Sequence, residues 1–216
     1  MPLTIALRPV RLPQAAIVAG ALMLGLVIGL HHLRIGPFSE HMLQHILGMN
    51  AVAPVAAFVL LKNPRMRRFA SRGGLLVGAA VGQIVFLWGW HTPIAFQIAH
   101  ASAMIMALMH ITLFGSAVVF WMSVIETVRT APWLSVMALL VTGKLFCLYG
   151  ALLIFAPRAL FAAEGQSGHS VSMDDQHLAG LIMVTACPLT YVAAAVFIVA
   201  RWIKQLETSD AASRGL

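Results

Sequence analysis

The sequence predicts an all-α fold: a polytopic membrane bundle of six helices with both termini in the cytoplasm. Three observations predict it. Of the 216 residues, 60% are hydrophobic and only 10% are charged, against about 25% charged in a soluble domain. Six apolar windows can be marked out, each near the roughly 20 residues a spanning helix requires. The Lys and Arg residues, finally, collect in alternate connections between those windows. The six spans fill residues 13–203, with 1–12 as a cytoplasmic N-terminus and 204–216 as a cytoplasmic tail of disordered composition. No room is left for a separate soluble domain.

Each element has its own justification. The first window, 13–33, follows Arg8 and Arg11 as a signal peptide would, but its apolar run from Ala15 to Leu30 exceeds a usual h-region. It reads as an uncleaved first span. The second, 38–61, is introduced by Pro37 and by Ser39, a candidate N-cap, and contains Pro54, which removes a backbone donor and predicts a kink. The third, 73–90, ends on Trp88 and Trp90, and the fourth is 100–125. The fifth, 132–156, opens with Pro132, suited to a first helical turn, and carries Lys144 within it. The sixth, 174–203, follows Ser172-Met173-Asp174-Asp175, spaced like a capping box, and contains Pro188. Residues 162–172 alone have the composition of a loop, and Trp121, Trp133 and Trp202 fall near inner helix ends as an aromatic belt would.

The charges orient this arrangement. With the N-terminus inside, the inner segments hold Arg8, Arg11, Lys62, Arg65, Arg67, Arg68, Arg72, Arg129, Arg201, Lys204 and Arg214, eleven in all, while the outer ones hold Arg34 and Arg158. Eleven against two is a strong positive-inside signal, and it accounts for the net charge of +7 without a nucleic-acid partner. Cys147 and Cys187 lie in apolar runs without CxxC spacing, which supports neither a disulfide framework nor a zinc ribbon. The chain has no HExxH, GxSxG, Walker A or GxGxxG string, so no catalytic turnover is expected. What remains is a metal-bearing or partner-binding bundle in a lipid membrane.

The nine histidines all fall on the outer side or in the outer half of this topology. His31 and His32 end the first helix, His41 and His45 begin the second, and His91 ends the third. His100 and His110 lie in the first half of the fourth helix, His169 in the outer loop, and His177 opens the sixth. His41 and His45 are spaced i, i+4 on one helical face, extended by Met49. Met106 and His110 repeat that spacing, with Met109 adjacent. At 1.5 Å per residue His110 would lie about 15 Å below His100, near the bilayer centre, where an ionisable group is a functional hypothesis by default. Imidazole and thioether together suit copper, the sulfur favouring Cu(I), and Cys147 and Cys187 offer thiolate at similar depth. Imidazoles such as His45 and His110 can instead bracket a haem iron.

Plainer readings stand beside these. His31, His32, His100 and His169 suit interfacial polar residues. His41 and His45 can serve as polar residues at a helix start, and His110 as a hydrogen-bonding link between helices. Methionines pack cores more often than they bind metals. Asp174 and Asp175 complement a helix dipole. Lys144 either snorkels, pairs with Glu126 or carries protons.

Longer strings carry a family resemblance. His41-Met42-Leu43-Gln44-His45 followed by Ala53-Pro54, then Trp90-His91-Thr92-Pro93, then His110 with Phe120-Trp121, then Asp175-Gln176-His177-Leu178-Ala179-Gly180-Leu181-Ile182-Met183 occur in order. In this the chain resembles the CtaG family of multi-spanning bacterial cytochrome c oxidase assembly factors, from about residue 38 to 203. The resemblance implies a multi-pass protein of the bacterial inner membrane that a haem-copper terminal oxidase needs, helping copper to reach an oxidase subunit as client. It carries over His41, His45, His91, His110, Asp175 and Gln176. The chain departs from the family's frequent His-x-x-Glu-His run, having Met106-Ala107-Leu108-Met109-His110 instead. It is also shorter, with fewer spans than many relatives. The resulting expectation is an assembly factor holding copper, as Cu(I), in a periplasm-facing site of His41, His45 and His110 with Met49, Met106 and Met109. His91, Asp175, Gln176 and His177 would orient those ligands. The alternatives are a haem-binding electron carrier and a metal-free accessory partner docked to an oxidase subunit. A copper permease would need a polar path through the inner half, where Lys144 and the two cysteines are nearly the only candidates.

Overall fold

The computed structural model of the chain describes Gly25, residues 35–161 and residues 171–214, and every regular element among them is helical. Helix α1 (Pro37–Leu47) passes through a π-helical turn, Gly48–Val52, into α2 (Ala53–Leu60). There follow α3 (Pro64–Ala70), α4 (Leu75–Trp90), α5 (Pro93–Ala101), α6 (Ala103–Thr127), α7 (Pro132–Phe155) and α8 (Met173–Arg214).

Four of these are long and apolar enough to cross a membrane: α1–α2 together as Pro37–Leu60, then α6, α7 and α8. A fifth is reached if α3 and α4, bent by 82°, are taken as one span. The six-span expectation is therefore met in part. The first predicted span, 13–33, lies outside the described residues. The third is α4, only 16 residues long, and Gly74 at φ 81° makes the turn ahead of it, a left-handed conformation that costs glycine little. Large apolar side chains such as Phe58, Ile111, Phe155 and Leu189 are exposed around the bundle, as expected where the solvent is lipid. Helix α8 runs on to Arg214, through the segment expected to be a disordered tail.

Local chemistry explains the helix boundaries. Pro132 opens α7 as expected, and Ser172 Oγ accepts the amide of Asp175 at 3.1 Å, half of a capping box. Ser39 is not the cap of α1; the helix starts from Gly36 and Pro37, and no side chain of its own caps it. The cap comes instead from α8. Asp175 accepts the amides of Phe38 and Ser39, both at 2.9 Å, and the Ser39 hydroxyl at 2.5 Å. These amides are among the orphan donors of a helix start, and a carboxylate there also complements the dipole. A Cβ on Gly36 would overlap that carboxylate, so the close approach needs glycine.

Pro54 follows a π turn, Gly48–Val52. In the π turn the Ala53 amide bonds to the Gly48 carbonyl, five residues back. The next bond in that register would join residue 54 to the Met49 carbonyl, but proline has no N–H. The indole of Trp121, on α6, donates to that carbonyl at 3.0 Å. Trp121 is therefore buried inside the bundle rather than in an aromatic belt. In the bilayer such a freed carbonyl must be satisfied within the protein.

Helices α7 and α8 make the closest contact, across Gly150 and Gly180: a Cβ on Gly180 would lie 2.8 Å from the Gly150 carbonyl. Small residues that let two backbones approach are the usual solution in membranes. Lys144 is exposed on α7, and Glu126 pairs with Arg67 at 3.2 Å instead.

Candidate metal centre

Four helices bring five histidines to one end of the bundle. The Thr92 hydroxyl accepts the Ala95 amide and Pro93 occupies the first turn, so a new helix, α5, starts directly after His91. It ends at Ser102, extended at φ −143° and ψ 120°, where α6 begins. This break corrects the expectation of one helix through His100 and His110, with the first far above the second. Both rings lie against His41, with centroids at 5.4 Å for His100 and 5.8 Å for His110. The ring of His45 is 4.4 Å from that of His41, 5.4 Å from His91 and 4.7 Å from His110.

Within this cluster His41, His45 and His91 are all buried, and each offers a ring nitrogen within 4.8 Å of the others. The Nε2 atoms of His41 and His45 face one another at 3.0 Å. Two nitrogens each about 2.0–2.1 Å from a common ion are about 2.9–3.4 Å apart for cis or tetrahedral angles. The spacing thus fits two ligands of one ion. His91 presents a third nitrogen to the same group. Its Nδ1 lies 2.7 Å from the Leu87 carbonyl, so Nδ1 carries the proton and Nε2 the lone pair. That Nε2 is buried and has no hydrogen-bond partner. The Tyr149 hydroxyl donates to the His91 carbonyl at 2.8 Å and fixes the backbone beneath it.

His110 and His100 repeat the device, with Nδ1 at 2.8 Å from the Met106 carbonyl and at 2.9 Å from the Phe96 carbonyl. His100 is exposed, His110 half-buried, and His41, His45 and His91 are buried. The imidazoles therefore form a graded path from the surface inward. The ring centroids of His45 and His110 are 4.7 Å apart with an interplanar angle of 38°, the separation of a packed aromatic pair.

The remaining expected site residues lie as follows. Met49 and Met109 are buried in the core, and Met106 packs against it. Met49 and His45 line one small cavity, whereas Met106 meets the cluster through its backbone carbonyl, which His110 Nδ1 approaches at 2.8 Å. Asp175 turns its carboxylate to the start of α1, not to an imidazole. Gln176 also serves packing: its oxygen accepts the Leu160 amide at 2.7 Å and its amide donates to the Leu153 carbonyl at 3.1 Å, tying α8 to the end of α7. His177 is half-buried with Nε2 unpartnered. His31, His32 and His169 lie outside the described residues. His91, expected to be an orienting residue, stands in the trio itself, and His100, read as interfacial, joins the path. The Thr92-Pro93 cap, visible in the sequence, was the signal that a separate helix starts there.

A group of basic residues lies at the other end. Lys62, Arg67 and Arg68 share a concavity with Glu126, at the ends of α2 and α6. No curated protein and no solved structure gives a match to this sequence. Residues 8–205 do match the family described as cytochrome c oxidase caa3 assembly factor (Caa3_CtaG). That match spans nearly the whole chain, and this protein belongs to that family of cytochrome c oxidase assembly factors.

Proposed function

We propose that this assembly factor holds copper, as Cu(I), in the His41, His45 and His91 site and passes it to an oxidase subunit from the periplasmic side of the inner membrane. Copper here is cargo rather than a resident cofactor. The observation that carries the reading is the unpartnered, buried Nε2 of His91 beside the facing Nε2 atoms of His41 and His45. A buried acceptor without a donor is costly, and a metal ion supplies what it lacks. Three neutral imidazoles with no carboxylate in the trio favour a singly charged ion, because the cost of burying charge rises with its square in a low dielectric. Imidazole is also a ligand type that copper accepts readily. His110 and His100 extend the site toward the surface, giving the ion a route in and out without crossing the membrane.

The test is copper retention by the purified protein under chelator competition, for wild type, His45→Ala and His91→Ala, together with the copper content of the oxidase in cells carrying each variant. Either variant should lose copper bound to nitrogen ligands and leave the oxidase copper-deficient. Copper-replete oxidase in cells carrying both substitutions would sink the proposal.

A further inference from the structure

One helical turn below the histidine trio, the bundle encloses a second set of donors that the outer site does not use. Met42, His45 and Met49 form a stripe along α1 and the π turn, and Met183 and Cys187, spaced i, i+4, face it from α8. Together with Asn50, Ile46, Leu87 and Phe146 they line a cavity of about 10 Å³, the room of one water-sized particle. Met42, Met49, Met183 and Cys187 are each at least 98% buried. Asn50 is 7% exposed, and neither its amide nitrogen nor its oxygen has a hydrogen-bond partner. The π turn, which often marks functional sites, is what aims Asn50 into this space.

We infer that this cavity is a second, inner Cu(I) site, built from the sulfurs of Met49, Met183 and Cys187 with Met42 beside them, and that His45 links it to the outer trio. The inference rests on the copper reading above and adds a second position to it. Thioether and thiolate select Cu(I) over harder cations. The charge balances as well: Cys187 loses its thiol proton to water on the histidine side as the ion arrives, and a Cu(I)–thiolate unit is neutral. A neutral unit can sit in the membrane interior where a divalent ion could not. The orphaned Asn50 amide would then donate to the thiolate. His45 has one face toward His41 and His91 and another toward the cavity, so an ion can change from nitrogen to sulfur ligands without leaving the protein.

The experiment loads the purified full chain anaerobically with Cu(I) in competition with a bathocuproine chelator, then measures stoichiometry and the copper X-ray absorption spectrum. Wild type should bind two ions, with sulfur neighbours at about 2.3 Å, the usual metal–thiolate distance. Met183→Leu/Cys187→Ala should bind one and lose the sulfur signal, whereas His91→Ala should bind one and keep it. Absence of sulfur neighbours in wild-type protein would overturn the inner site whatever the variants do, and so needs no mutant to fold. Loss of copper in the sulfur variant with no change in His91→Ala would instead remove the outer site and leave the inner one standing.

Discussion

Asp175 illustrates how far a residue's work can lie from the chemistry its motif suggests. In sequence it stands beside Gln176 and His177 in a string that a metal site would explain. In space it spans 136 residues of sequence to bond the Ser39 amide and hydroxyl, and it takes the Phe38 amide as well. Those bonds hold α1 at the height where His41 and His45 meet His91. Hydrogen bonds to a charged acceptor contribute about 1.5–3 kcal/mol each, and removing one partner leaves buried donors unsatisfied. Asp175→Ala is therefore expected to destabilise the protein by about 2–4 kcal/mol, read as a lowered unfolding temperature in detergent. The smaller loss of Asp175→Asn would identify the charge as one part of the effect. Unchanged melting in both would contradict the cap. The pairing was not legible because a carboxylate near a helix start reads as serving its own helix, and only the α1–α8 contact redirects it.

At the scale of elements, the boundaries legible in the sequence are those made by local chemistry, and the illegible ones are made by neighbours. Pro132 and Ser172 act as their types predict. The π turn was signalled only as a kink at Pro54, because its form depends on the Trp121 indole from α6. The break at Ser102 has no proline or glycine to announce it, so the apolar pattern runs His100 into the helix of His110 although Thr92-Pro93 marks the start of its own. Packing of α7 on α8 makes a sharper case. Glycines 115, 150 and 180 all sit within apolar helices, but a Cβ on Gly115 meets nothing within 4 Å, while one on Gly180 meets the Gly150 carbonyl at 2.8 Å and Leu153 Cβ at 3.1 Å. Gly180→Ala should then cost about 1–3 kcal/mol by overpacking, and Gly115→Ala should be neutral or gain up to about 1 kcal/mol from helix propensity. Thermal unfolding of the two variants side by side measures the difference. Equal behaviour would mean that α7 and α8 do not approach at these glycines.

Over the whole molecule, two independent patterns agree on an axis. Charge counting sends Lys62, Arg65, Arg67, Arg68, Arg72 and Arg129 to one side, and the folded chain collects Lys62, Arg67 and Arg68 around Glu126 at one end, with five imidazoles gathered at the other. The two patterns are independent, because histidine does not enter the positive-inside count. The bias of Lys and Arg toward the untranslocated side predicts a sign for this axis, with the basic end cytoplasmic and the imidazole end on the opposite face. A cysteine at exposed Ser71, on the basic side, should resist a membrane-impermeant maleimide in intact spheroplasts and react only after the membrane is opened. One at exposed Pro157, beyond the outer end of α7, should react at once. The buried position of Cys187 and the partial burial of Cys147 keep the background low, and unsubstituted protein measures it. The reverse labelling pattern would put the histidines in the cytoplasm, where the proposed delivery could not work from this site, since an oxidase receiving copper from outside would face the wrong end of the bundle.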